Sequence, residues 1–376
     1  MKAAQANKQN WFSKAFNLPV LQKSRLQWVD YLKGIAIILV VYRHVLIGIQ
    51  RSGMIIPDYM VKANMIFYSF RMPLFFILSG IFINASMTKR PLGKLVFIKF
   101  ENLLYPYLIW TFLQVSLQIL FSHYTNSNRG LIDYTYILYQ PRNLDQFWYL
   151  PALFNTTVLY MLVKAKLKPP AWIQLAMGLV LYFVAPYFQG ISMISDWMEF
   201  YLFFALGDAI SVFFFKRSTQ DFLKNPLTLL VISPVFILAQ LWYLMKEEGY
   251  YLNELAGRAE FLLIALTGCF SMFVLSFRLQ SWNILSFLRV LGFHSLYIYV
   301  MHIFVAALIR IAFTNLLHIH NPFILLFSGI AFGVTVPVVF YNFFIREGIL
   351  WFLFSLRKTE PKVSPAKEIT PNALTS

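Results

Sequence analysis

The sequence predicts an all-α polytopic membrane protein, a bundle of about ten transmembrane helices with both termini cytoplasmic. Three observations predict it. Hydrophobic residues make up 59% of the chain and charged residues only 13%, where an average soluble domain carries roughly 25% charged residues. Apolar stretches of spanning length recur at roughly 31–50, 61–84, 95–121, 147–164, 172–189, 197–215, 226–245, 258–277, 289–313 and 322–344. Lys and Arg, finally, collect in every second loop, which sets the orientation. Helices satisfy their own backbone in lipid, and these segments are too long for the alternating strands of a barrel.

The net charge of +16 would suggest nucleic acid in a soluble protein, but its loop distribution is a topology signal. The expected partner is therefore a lipid bilayer and not nucleic acid, with the chain multi-pass in the cell (inner or plasma) membrane. Residues 1–30 form a polar, basic arm with Trp11, Phe12 and Phe16 clustered in it. That pattern suits an interfacial segment better than a cleavable leader. Lys2, Lys8, Lys14, Lys23 and Arg25 make this arm the first positive stretch.

Span one, DYLKGIAIILVVYRHVLIGIQ, carries Arg43 and His44 inside its apolar run and Asp30 and Lys33 at its entrance. A polar group in hydrocarbon costs several kcal/mol unless it has a partner or a wet cavity, so each is a site candidate. Lys33 and His44 lie eleven residues apart, on nearly one helix face and roughly 16 Å apart along the axis. Span two, MIFYSFRMPLFFILSGIF, sets Arg71 before Pro73, where a lost helix hydrogen bond predicts a kink, and then Ser79 and Gly80, a small-residue helix contact. Lys89, Arg90 and Lys94 follow it.

Span three holds Lys99, Glu101, Asn102 and Pro106, and span four opens on QFWYLPALF with Trp148 and Tyr149 at its outer end. Lys164, Lys166 and Lys168 follow span four, and Lys216, Arg217 and Lys224 follow span six. The alternate loops carry Asp133, Asp145, Asp196, Glu199, Glu247 and Glu248. Cys269 cannot form an internal disulfide and reads as a small buried residue. Span nine, FHSLYIYVMHIF, places His294 and His302 eight residues apart on adjoining faces, and His318 and His320 fall in the following external loop. The membrane domain runs over 31–356, and the Pro-, Lys- and Ser-containing segment 357–376 reads as a disordered cytoplasmic tail.

No internal repeat is visible, which disfavours a transporter of duplicated halves. There is no HExxH, Cys pair, P-loop or dinucleotide glycine motif, and His294 and His302 lack a carboxylate partner, so no metal site is expected.

In order, DYLKGIAIILVVYRH, MPLFFILSGIF, LLYPYLIW, QFWYLPALF and SLYIYVMH resemble the membrane acyltransferase-3 family, particularly its sugar and polysaccharide O-acetyltransferase branch. The likeness runs from about Arg25 to the last span. In that family the first span carries an Arg, ten intervening residues and an essential His; here the His position is His44 and the Arg position holds Lys33. Lys keeps the charge but lacks the planar fork of Arg. Asn102 stands where a second base is common.

The resemblance implies transfer of an acetyl group from cytoplasmic acetyl-CoA, a co-substrate, to a hydroxyl of a polysaccharide or lipid-linked glycan. In that reading His44 is the general base, an imidazole being neutral and basic near physiological pH. Arg71 or Arg43 donates to the tetrahedral oxyanion. Lys33 and Lys99 hold the coenzyme A phosphates, with Arg43 also counted among the cofactor contacts. Asp30 orients Lys33, and Trp148, Tyr149 and His302 meet the sugar.

Each residue also has a plainer reading. His44 ties span one to a neighbouring helix, Lys33 snorkels to the interface, Arg71 is an interhelical pair, His302 packs, and Trp148 and Tyr149 are belt aromatics. The rival function is a glycan or small-solute exporter in which buried Arg, Lys and His line a permeation path. The oligomeric state is not legible in the sequence.

Overall fold

A computed structural model describes residues 11–22, 26–122, 129–346 and 348–357. Lys2, Lys8, Lys23 and Arg25 of the expected arm, and the expected disordered tail beyond Arg357, lie outside the described residues. Among the described residues there are helices and connections and no strand. The main helices are α1 (Gln27–Arg51), α2 (Asp58–Ile66), α3 (Tyr68–Ile81), α4 (Leu92–Lys99), α5 (Tyr105–Leu120), α6 (Tyr149–Lys166) and α7 (Ala171–Val184). They continue with α8 (Ser192–Phe214), α9 (Pro226–Leu244), α10 (Leu255–Trp282), α11 (Phe287–Phe293), α12 (Ser295–Ile311) and α13 (Pro322–Phe340).

Among the described residues, nine helical stretches are long and apolar enough to cross a membrane. The expected fourth span forms as α6, but Asn155, Thr156, Thr157, Lys164 and Lys166 make that helix less apolar than the nine. The pattern of burial independently marks the solvent as lipid. Helix α9 buries Thr228, Gln240 and Tyr243 while exposing Leu230, Val231, Ile237, Leu238 and Leu241. Helix α7 buries Gln174, Gly178 and Tyr182 and exposes Trp172, Leu179 and Val180. In water such an arrangement would be inside out; in hydrocarbon it hides the polar groups and wets nothing. The chain is an all-α, multi-pass membrane protein.

Local chemistry sets where helices start and bend. Pro226 and Pro322 occupy the first turns of α9 and α13, and in each case the preceding Asn caps the helix: Asn225 Oδ1 accepts from the Leu227 N–H at 2.9 Å, and Asn321 Oδ1 from the Phe323 N–H at 2.9 Å. Pro106 has no N–H to give the Asn102 carbonyl, and the turn before it widens into a π-helical segment, Phe100–Leu104, between α4 and α5. The kink expected near Pro73 appears upstream of it, as a break at Phe67 between α2 and α3. The expected ninth span is also broken, at His294, into α11 and α12.

The described residues group into two units, one drawn from 11–22, 26–64, 121–122, 279–346 and 348–357, the other from 65–120 and 129–278. In the first unit α1 is central, packing on α11, α12 and α13. Its contact with α11 is reciprocal: a Cβ on Gly34 would collide with the Leu288 carbonyl, and one on Gly292 with the Asp30 carbonyl. Only glycine lets two backbones approach so closely. On another face, Val45 and Val41 fill the space left by Gly329 and Gly333 of α13.

In the second unit α8 is central, packing on α3, α6 and α7. The same device recurs there, since a Cβ on Gly80 would meet the Phe204 carbonyl and one on Gly207 the Ile77 carbonyl. The small residue expected from the Ser79–Gly80 pair is thus a helix contact. Phe76 of α3 and Phe200 of α8 stack across this contact with ring centres 4.4 Å apart. Cys269 is buried and its thiol faces the Phe70 carbonyl at 3.6 Å.

Candidate active site

Helix α1 carries four of the expected site residues in the first unit. Asp30 is buried in its first turn, at the level where Gly292 of α11 presses on the α1 backbone. Lys33 follows one turn later and is half-buried, as are Arg43 and His44. Lys33 and His44 therefore sit on one continuous helix at the separation that the sequence implied.

His302 of α12 meets His44. Their ring centres are 5.2 Å apart with an interplanar angle of 56°. The two histidines, from segments far apart in sequence, are the pair that the first unit brings together. Helix α13 passes His302 at Gly333, where a Cβ would come within 3.9 Å of the His302 Cβ. Tyr299 adds a third ring, 6.3 Å from His302.

The hydrogen bonding of His302 defines its tautomer. Its Nδ1 lies 3.0 Å from the Ile298 carbonyl oxygen, and a carbonyl only accepts, so Nδ1 carries the hydrogen. In the neutral ring Nε2 then keeps its lone pair. That nitrogen is fully buried and has no hydrogen-bond partner among the described residues.

His294 shows the opposite case. Its Nδ1 meets the Val290 carbonyl at 2.8 Å, and its Nε2 lies 3.2 Å from Nδ2 of Asn342. The two hydrogens of the Asn342 amide are shared among three acceptors, the His294 nitrogen, the Ala15 carbonyl at 2.9 Å and the Val338 carbonyl at 3.0 Å. His294 thus ties the α11–α12 junction to the segment before α1 and to the end of α13. One imidazole fastens the unit, and the other keeps a spare basic nitrogen beside His44.

Arg71, Lys99, Trp148 and Tyr149 belong to the second unit. Arg71 is 3% exposed on α3, with its guanidinium 5.8 Å from the Tyr68 ring. Lys99 ends α4, next to the π-helical segment, and is half-buried. Tyr149 is buried between Phe75 and Phe76, each 5.6 Å away. Trp148 stacks on Phe200 at 5.6 Å and lies 4.4 Å from the Arg142 guanidinium. Arg142 is in turn held by Asp196 at 2.5 Å and Glu199 at 3.4 Å.

Two buried cations were not singled out from sequence. Arg289 of α11 is 3% exposed and donates to the Leu21 carbonyl at 3.2 Å. Arg258 of α10 is 5% exposed, donates to the Tyr182 carbonyl at 2.6 Å and lies 4.3 Å from the Tyr182 ring. The signal that would have found both is a lone Arg inside an apolar run, the criterion that selected Arg43 and Arg71. Among the described residues no group of three or more His, Cys, Asp or Glu is arranged to hold a metal.

The acyltransferase-3 family model, described as an acyltransferase domain, matches residues 26–342. The chain belongs to the acyltransferase-3 family. It is a multi-pass membrane acyltransferase, and the matched span includes α1 with Asp30, Lys33, Arg43 and His44 and α12 with His302. No curated protein and no solved structure matches this acyltransferase.

Proposed function

We propose that this acyltransferase moves an acetyl group from acetyl-CoA to a hydroxyl of a cell-surface or lipid-linked carbohydrate, with His44 as general base. The observation that carries the reading is the half-buried His44 ring on α1 set against His302 of α12, with Lys33 three turns earlier on the His44 helix. A neutral imidazole removes the hydroxyl proton as the oxygen attacks the thioester carbon. Arg43, next in sequence, supplies positive charge for the tetrahedral oxyanion.

Lys33 is a point charge for a coenzyme A phosphate, for which an ammonium serves without the fork of an arginine. The alternation of basic and acidic loops supports cytoplasmic termini, which puts the Lys33 end of α1 on the coenzyme A side. Lys99, beside the basic loop Lys89, Arg90 and Lys94, belongs to the same side in this reading. Trp148 and Tyr149, at the far end of their helix, are its acceptor-side aromatics.

The test uses detergent-solubilised full-length protein with acetyl-CoA, read as thiol release, first with water and then with glycans as acceptors. Wild-type turnover lost in His44→Ala at equal folded yield is the expected result. Turnover retained in His44→Ala removes His44 as the base, and absence of any thiol release with every acceptor removes acetyl-CoA as donor.

A further inference from the structure

We infer that His302 is the second imidazole of the reaction, a positioning residue that takes a proton from His44 as His44 takes one from the acceptor. The inference rests on the proposed acyl transfer and deepens it. Three observations lead here. The two rings are 5.2 Å apart, a spacing at which a nitrogen of one can reach a nitrogen of the other. The hydrogen bond from Nδ1 to the Ile298 carbonyl fixes which His302 nitrogen carries its hydrogen. The other nitrogen, Nε2, is fully buried and has no hydrogen-bond partner among the described residues. A buried acceptor with no partner forfeits a hydrogen bond, and such groups mark strain or function. His294, eight residues earlier, spends both nitrogens on structure; His302 does not.

The proton accounting closes. The acceptor oxygen bonds to the acyl carbon while its hydrogen passes to the lone pair of one His44 nitrogen. The hydrogen on the other His44 nitrogen passes to His302 Nε2, whose ring becomes the imidazolium. When the tetrahedral intermediate collapses, the C–S bond breaks and the sulfur leaves with the electron pair. The hydrogen on Nε2 then returns to His44, which protonates the thiolate. Alcohol and thioester become ester and thiol, and both rings regain their starting forms. His302 thus spreads a positive charge that His44 would otherwise hold alone.

The experiment follows acetyl-CoA hydrolysis by the detergent-solubilised full-length chain. In His302→Gln, kcat is expected to fall about hundredfold, the lower end of the range for a lost proton-transfer partner, with KM for acetyl-CoA little changed. Added imidazole should raise the rate of His302→Gly and leave that of wild type unchanged. A packing role predicts neither the selective loss in kcat nor the rescue. Wild-type kcat in His302→Gln, with His44→Ala inactive, overturns this inference and leaves the acyl-transfer reading standing. Activity in both variants overturns that reading as well. Should His302→Gln aggregate, rates of wild type in mixtures of light and heavy water decide. A curved dependence means two hydrogens in flight and supports the relay, whereas a straight line means one and rules it out.

Discussion

The Asn342 side chain connects His294, Ala15 and Val338 with one amide, so its loss strands several buried groups together. Asn342→Leu should destabilise the protein by about 1–3 kcal/mol for each buried polar group left unmet, seen as a lower melting temperature in detergent. Lys33 tests binding and not folding. Lys33→Met is expected to raise KM for acetyl-CoA several-fold with kcat unchanged, while Lys33→Arg keeps both, because a point charge is what the phosphate needs; an unchanged KM in Lys33→Met would assign Lys33 to the interface. At this scale the sequence revealed which residues were costly to bury, since Arg43, His44 and Arg71 interrupt apolar runs. It did not reveal which histidine was used up. His294 and His302 sit in similar surroundings in sequence, and only the position of Asn342, 48 residues beyond His294, separates a satisfied ring from one with a spare nitrogen.

Among the helices, the closest contacts depend on four glycines used in reciprocal pairs, Gly34 with Gly292 and Gly80 with Gly207. Any side chain at these positions meets a carbonyl oxygen of the neighbouring backbone, which cannot move aside as a flexible side chain does. Gly34→Leu and Gly207→Leu should each abolish monodisperse protein in gel filtration, whereas Gly93→Leu, in open space, should elute as wild type. The apolar lengths of these helices were plain in the sequence because hydrophobicity adds along a segment. Their interruptions were not. The break at His294 and the widened turn before Pro106 depend on where single backbone groups find partners, which periodicity does not encode. Proline gave part of the warning at Pro73, where the break is displaced toward Phe67.

For the whole molecule, the number of crossings rests on α6, which is helical but carries Asn155, Thr156, Thr157 and two lysines. Proteoliposomes decide it. If α6 crosses, cysteines introduced as Arg90→Cys and Gly190→Cys, both at exposed positions, react with a membrane-impermeant maleimide from opposite sides; if it does not, they react from the same side. Composition and the spacing of basic loops carried the fold class, because a solvent of hydrocarbon imposes one rule on every residue of the surface. The acceptor left no comparable mark, since recognition of a small group depends on a few side chains brought together from separate helices. One buried sulfur makes these measurements easier. Cys269 is the single cysteine of the chain, and it is shielded within its unit beside the Phe70 carbonyl. The native fold is therefore dark to thiol dyes, so fluorescence from any thiol released in the assay, or from one engineered label, comes with almost no background and no further substitution.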